Sequence, residues 1–181
     1  MKPYSENTHS SNPGVGPTVV SFSQPSKDLS WEAIGDRVMG GESDGSMVLS
    51  DEGYGVFTGT VRLDNGGGFA SVKADLPEPL DASQYQGIEL LALGDGRTYK
   101  LGLRNSTDRQ SPVYQHHFTP GTEHWGLVRL PFNGFVPSWR GRTLTNAEPL
   151  DTGNLWSLSL FVSERQAGPF RLLMQDWKLY A

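Results

Sequence analysis

Three histidines and a scatter of serines, carboxylates and arginines are the side chains whose spacing invites chemistry. His116, His117 and His124 form the one candidate metal set. Neighbours on a strand point to opposite faces, so at most one of the first two could join His124, and Glu123 points away from His124 for the same reason. A zinc site needs three or four converging ligands, so ordinary exposed strand residues are expected here and no metal. Ser71, Ser106 and Ser163 lack the context of a nucleophile elbow, and the chain has no cysteine. Nothing ties two carboxylates to one cleft, so neither a nucleophile with its base nor an acid–base pair is in view. Gly66-Gly67-Gly68 and Gly94-Asp95-Gly96 are not phosphate loops, because no Gly-Lys-Ser/Thr follows either. The expectation is a protein without catalytic residues or a cofactor, and not an enzyme.

What remains suits binding. Asp36 and Arg37 open the run Asp36-Arg37-Val38-Met39-Gly40-Gly41. Either this pair meets a partner while the glycines allow close backbone approach, or Asp36 caps a turn and Met39 enters the core. Asp95 and Arg97 set a carboxylate beside a guanidinium, which suits sugar hydroxyls or a peptide, and equally makes a good hairpin turn. Trp139 beside Arg140 could stack on a sugar ring or anchor an interface, or pack beneath its own arginine.

Charge is unevenly placed on a chain of net charge −5. Acidic residues dominate from Asp28 to Asp64, with Arg37 and Arg62 opposing them. Basic residues dominate from Arg97 to Arg142, with Asp108 and Glu123 opposing. A docking face on Arg97, Arg104, Arg140 and Arg142, with Trp139 as its apolar anchor, is therefore expected, solvated strand faces being the alternative. Overall acidity and the lack of dense Lys/Arg clusters exclude nucleic acid as an expected partner.

The elements that must position these residues are strands. The 22 Gly and 12 Pro work against long helices. The 5 Trp, 8 Phe and 6 Tyr supply a core of large side chains. Residues 1–17 read as a flexible polar tail and 18–181 as one domain. Period-two alternation marks Val56 to Leu63, with Phe57, Gly59, Val61 and Leu63 on one face. It recurs at Tyr99, Leu101 and Leu103, and at Leu158, Leu160 and Val162. Hairpins are expected at Asp51-Glu52-Gly53-Tyr54-Gly55 and at Gly94-Asp95-Gly96-Arg97. Tyr114–Phe118 is expected to pair with Trp125–Leu130. Leu76-Pro77-Glu78-Pro79 should close a strand begun at Phe69, and Ser138 to Asp151 should be a long surface loop. About ten short strands then predict an all-β fold, an antiparallel β-sandwich of the jelly-roll type, with Trp31, Phe57, Phe69, Tyr99, Phe132 and Phe170 in its core.

The order of the glycine turns resembles the complex I intermediate-associated protein 30 family. The matching residues are Trp31, Asp36 to Ser43, Phe57-Thr58-Gly59, Gly67 to Ser71, Gly94 to Tyr99, Trp125 with Leu130-Pro131-Phe132, Arg140-Gly141-Arg142 and Gly168-Pro169-Phe170. The resemblance implies a galactose-binding-like jelly roll that acts as a non-catalytic interaction domain. It implies an assembly factor or chaperone-like accessory of a respiratory or photosynthetic complex, with protein partners among the subunits or intermediates of a membrane complex. The absence of a presequence and of a dinucleotide fingerprint points to a stand-alone bacterial or cyanobacterial type. A carbohydrate-binding module is the alternative, with a sugar or other small ligand in place of a protein. No stretch reaches the ~20 apolar residues that cross a bilayer, and Met1-Lys2-Pro3-Tyr4-Ser5-Glu6 lacks a signal's apolar run. A cytoplasmic protein, peripheral to a membrane through its partner, is expected.

Overall fold

Alternation of apolar and polar residues drives the chain into strands whose buried halves face one another. The computed structural model describes residues 16–35, 43–64 and 67–181. Among these lie fourteen strands: β1 (Thr18–Val20), β2 (Glu32–Gly35), β3 (Asp44–Leu49), β4 (Gly55–Val61), β5 (Ala70–Leu80), β6 (Gly87–Leu93) and β7 (Tyr99–Arg104). They continue with β8 (Val113–Phe118), β9 (Gly126–Pro131), β10 (Val136–Trp139), β11 (Arg142–Thr143), β12 (Leu155–Val162), β13 (Gly168–Met174) and β14 (Trp177–Tyr180).

Two seven-stranded sheets result. One, the β13 sheet, runs β1-β14-β6-β13-β4-β3, with β9 also paired to β6; the other, the β12 sheet, runs β11-β10-β8-β7-β12-β5-β2. Every pairing is antiparallel. This is the two-layer sandwich that the alternation predicts.

Between the sheets, Tyr99, Leu101 and Leu103 of β7 and Leu158, Leu160 and Val162 of β12 are fully buried. They face Ile88, Leu90 and Ala92 of β6 and Phe170, Leu172 and Met174 of β13. An aromatic cluster centres the core. Phe57 lies 4.9 Å from Phe170 and 6.1 Å from Tyr99, and Tyr99 lies 6.2 Å from Phe118, all within the range of favourable ring contacts. Phe132 is buried as expected. Two expected core residues are less deeply placed. Phe69 is half-buried, since it precedes β5 at the rim. Trp31 is half-buried and packs edge-on against the fully buried Trp177 at 5.7 Å.

The hairpin at residues 51–55 joins β3 and β4, and Gly53 supplies the positive φ of +85° that its turn requires. Four other expectations are corrected. Gly94-Asp95-Gly96-Arg97 is not a hairpin turn, because β6 belongs to the β13 sheet and β7 to the β12 sheet. Likewise β8 and β9 do not pair: β8 lies between β7 and β10, while β9 pairs with β6. Within the expected loop 138–151, Trp139↔Arg142 closes a tight hairpin between β10 and β11. Its two turn residues, Arg140 at φ +49° and Gly141 at φ +77°, have the paired positive φ of a type I′ turn.

Nor does Pro77 end β5, which runs on to Leu80. β2 pairs only with Ala70 to Lys73, and the β12 register jumps between Ser157↔Asp75 and Leu155↔Leu80. The prolines thus sit at a bulge, beyond the stretch of β5 that β2 pairs among the described residues, where a missing N–H is tolerated. At the other end of the described chain, Gly16 N–H donates to the Leu179 carbonyl and Leu179 N–H to the Pro17 carbonyl.

Candidate functional site

Asp95 and Arg97 are turned into the protein. The Asp95 carboxylate accepts hydrogen bonds from the Tyr99 hydroxyl (2.9 Å), the Arg171 N–H (2.8 Å), the Arg97 N–H (3.2 Å) and Arg97 Nη1 (3.3 Å). Tyr99 belongs to one sheet and Arg171 to the other, so this carboxylate ties the two layers together at the crossover. Burial, reinforced by the Asp95 charge, pushes the Tyr99 hydroxyl far above the usual phenol range. Arg97 Nη2 donates to the Ala167 carbonyl at 2.8 Å and Nε to the Gln166 carbonyl at 3.5 Å.

The four arginines of the expected docking face do not share one surface. Arg97 precedes β7 and Arg104 ends it, so the length of the strand separates them. Arg104 falls instead near the β10–β11 hairpin, since it neighbours Val113, which pairs with Ser138. On that hairpin the Arg140 guanidinium lies 4.5 Å over the Trp139 ring, so the tryptophan packs beneath its own arginine. Arg142 is exposed beside them. Asp36 and Arg37 lie outside the described residues.

The histidines diverge as strand geometry requires. The His116 ring packs edge-on to Phe135 at 5.3 Å, while His117 Nε2 lies 2.9 Å from the Glu164 carboxylate on the opposite face. Among the described residues no group of three or more His, Asp or Glu side chains could hold a metal ion.

The outer face of the β12 sheet is largely polar, with Val113, Val136, Phe161 and Ile34 interspersed, and composition alone does not reveal it. Three rows cross it in register. The first is Ser138, Val113, Arg104, Ser157 and Asp75; the second Val136, Gln115, Gly102, Ser159, Lys73 and Glu32; the third His117, Lys100, Phe161, Ser71 and Ile34. Short side chains form its floor: Ser157 is 1% exposed, and Ser138 and Ser159 are 6% exposed. A Cβ on Gly102 would collide with the Ser159 hydroxyl and come within 2.9 Å of the Phe161 ring.

Most charges on this face pair with one another: Lys73 with Asp75 at 3.2 Å, Lys100 with Glu164 at 3.3 Å and Arg109 with Glu32 at 2.8 Å. Arg104 is the exception. It is half-buried, and burial lowers its pKa while the nearby Asp75 carboxylate acts the other way. Its Nε and the adjacent Ser157 hydroxyl are buried with no hydrogen-bond partner among the described residues.

The outer face of the β13 sheet has the opposite character. Val48, Val56, Leu173 and Leu93 form one row in register across four strands, and Leu91 pairs with Leu127 beside it. Val48 is 48% exposed and Leu127 56%. Tyr54 and Trp125 stack edge-on at 5.3 Å on the same face. A groove of about 420 Å³ runs past Tyr54, Leu91 and Leu127 to Asp176 and Lys178. No helix among the described residues is long and apolar enough to cross a membrane.

Comparison with known proteins places these faces in context. The family described as complex I intermediate-associated protein 30 matches residues 20–174. An uncharacterized Schizosaccharomyces pombe protein is 27% identical over 87% of this chain and 82% of its own length. The mitochondrial complex I intermediate-associated protein 30 of Mus musculus is 26% identical over 78% of this chain, and that of Drosophila melanogaster 27% identical over 88%. The chain spans 49% of the mouse protein and 61% of the fly protein. Among solved structures, a family 11 carbohydrate-binding module from Clostridium thermocellum, in complex with a mixed-linked tetrasaccharide, superimposes with a TM-score of 0.65. It is 16% identical to this chain, and the match covers 91% of this chain and 95% of that one. A family 30 carbohydrate-binding module superimposes at 0.59 with 17% identity, over 89% of this chain and 86% of that one. These likenesses establish a shared jelly-roll fold.

Proposed function

Because this chain belongs to the complex I intermediate-associated protein 30 family, we propose that it is a non-catalytic protein-interaction domain that assists assembly of a respiratory or photosynthetic membrane complex. The family match from residue 20 to residue 174 carries this reading. It takes in strands of both sheets, from β2 through β13, so the sandwich rather than one loop is the working unit of the proposal. The outer row of Val48, Val56, Leu173 and Leu93, with Leu91 and Leu127, supports it from the geometry. Val48, Leu91 and Leu127 are its exposed members, and apolar side chains exposed close together are a mark of protein–protein contact. The domain works in the cytoplasm, at the periphery of a membrane through its partner.

Affinity capture from the native cell tests this, using the parent and a Leu91→Asp/Leu127→Asp variant. The parent should retain subunits or intermediates of such a complex. The variant should lose them while still unfolding cooperatively as a folded domain, with at most a modest drop in midpoint. Leu91 and Leu127 are exposed, but the two new carboxylates face each other in register. A Trp139→Ala/Arg140→Ala variant tests the hairpin tip as a second contact. Absence of any membrane-complex subunit from the parent's capture would sink the reading.

A second reading, carbohydrate binding, is favoured by the polar outer face of the β12 sheet. The similarity in fold to carbohydrate-binding modules supports it, one of them solved with a bound tetrasaccharide.

A further inference from the structure

The outer face of the β12 sheet holds polar groups that the protein leaves unused. More than nine in ten buried polar groups in native proteins find a partner. Here Arg104 Nε and the Ser157 hydroxyl, adjacent in register, both lack one among the described residues. The Ser138 and Ser159 hydroxyls and the Gln115 amide continue this row and the next, and no protein hydrogen bond reaches their side chains among the described residues.

The charge pattern says what fits. Asp75 stands on the far side of Ser157 from Arg104 and is bound to Lys73. A free anion drawn to Arg104 would meet that carboxylate. A hydroxyl meets no such conflict, since it accepts from the guanidinium and donates to a carboxylate or a serine oxygen. The half-buried ring of Phe161 lies two rows along, beyond Ser159. It offers an apolar surface to the C–H face of a sugar ring, as aromatic rings in ligand sites commonly do. Gly102, between Gln115 and Ser159, lets the Ser159 hydroxyl, a Val113 methyl and the edge of the Phe161 ring close in over the middle of the face.

We infer that this face binds a neutral oligosaccharide, laid across Arg104, Gln115, Ser157 and Ser159 toward Phe161. The inference deepens the second reading above by naming its ligand class and residues, and it stands apart from the protein-assembly reading. A 15N-labelled sample of the full chain, titrated with cellotetraose, laminaritetraose and xylotetraose, tests it, with trigalacturonate and inorganic phosphate as charged controls.

At least one neutral tetraose should shift the amides of Arg104, Gln115, Ser157 and Ser159 saturably. Gln115→Ala and Arg104→Gln should each weaken that binding tenfold or more. Leu127→Ser, on the opposite sheet, should leave it unchanged. Thermal midpoints of the variants separate lost contacts from lost fold, and Gln115 is the surface position at which folding is least at risk. The inference fails if no neutral tetraose shifts these amides, if only trigalacturonate or phosphate does, or if Gln115→Ala binds as the parent does. Failure here leaves the capture experiment untouched, so the two readings fall separately.

Discussion

At the scale of single residues, the most consequential group is the Asp95 carboxylate. It accepts from Tyr99 in one layer and from Arg171 in the other, with Arg97 closing the turn between them. Hydrogen bonds to an ionised group contribute about 1.5–3 kcal/mol each in partly buried settings. Asp95→Ala should therefore destabilise the domain by about 2–3 kcal/mol, or several degrees in thermal midpoint for a chain of this size. Tyr99→Phe should cost less, and the double variant less than the sum, because the two share one bond. Calorimetry on the four proteins completes the cycle, and strict additivity would show that the bond contributes nothing. The core offers a second contrast. Phe170 is 2% exposed within the aromatic cluster, so Phe170→Ala should cost about 3–5 kcal/mol. Phe69→Ala, at the half-buried rim, should cost clearly less; equal losses in urea melts would contradict that placement.

At the scale of elements, the stretch after β1 is held to the turn between β13 and β14 by one side chain. Asp176 accepts from the Phe22 N–H at 2.8 Å, from the Ser21 hydroxyl at 3.0 Å and from the Ser23 hydroxyl at 3.1 Å. Partial burial alone would raise its pKa, but these donors outweigh it and hold the carboxyl below the ordinary aspartate value. A depressed folded-state pKa means stability that is present above the unfolded value and lost as pH falls through the folded one. Protonation of Asp176 should thus loosen residues 21–23 only in acid, below the ordinary aspartate range. Asp176→Asn should loosen them already at neutral pH. Amide exchange at Phe22 reads both, and a pH-independent rate in the parent would refute the tether. Glu164 adds to the same acid limb, its pKa lowered by His117 and Lys100.

Whole-molecule organisation is where sequence reasoning reached its limit. Strand positions were legible, because a period of two survives in each segment, as Tyr99, Leu101 and Leu103 illustrate. Sheet membership was not, because Gly94-Asp95-Gly96-Arg97 has the same turn chemistry whether the chain returns to its own sheet or crosses to the other. The crossover is set by distant partners, Phe118 and Val162 for Tyr99, which no local window contains. The polar face was hidden for the same reason, since its rows draw on β5, β7, β8, β10 and β12. Its one local trace, the serines alternating with Leu158 and Leu160, reads equally as a strand face turned to water. Arg104 was named from charge, but its buried neighbour Ser157 was not, because a serine signals nothing until its partners are known.

The order in which strands arrive during synthesis has a cost of its own. β12 lies between β7 and β5, β13 between β4 and β6, and β14 between β1 and β6. These three are also the last strands in the chain. Until they leave the ribosome, one sheet is split into β11-β10-β8-β7 and β5-β2, and the other into β4-β3, β6-β9 and a lone β1. Each fragment presents an open edge with nothing to pair, the condition under which nascent chains aggregate or recruit chaperones. A nascent chain arrested with Asn154 as its last emerged residue should be digested by protease as readily as an unfolded one. Resistance should appear in a single step once Tyr180 has cleared the exit tunnel. Stepwise protection before Leu155 emerges would mean that the fragments are stable alone, and that the keystone strands only join what is already built.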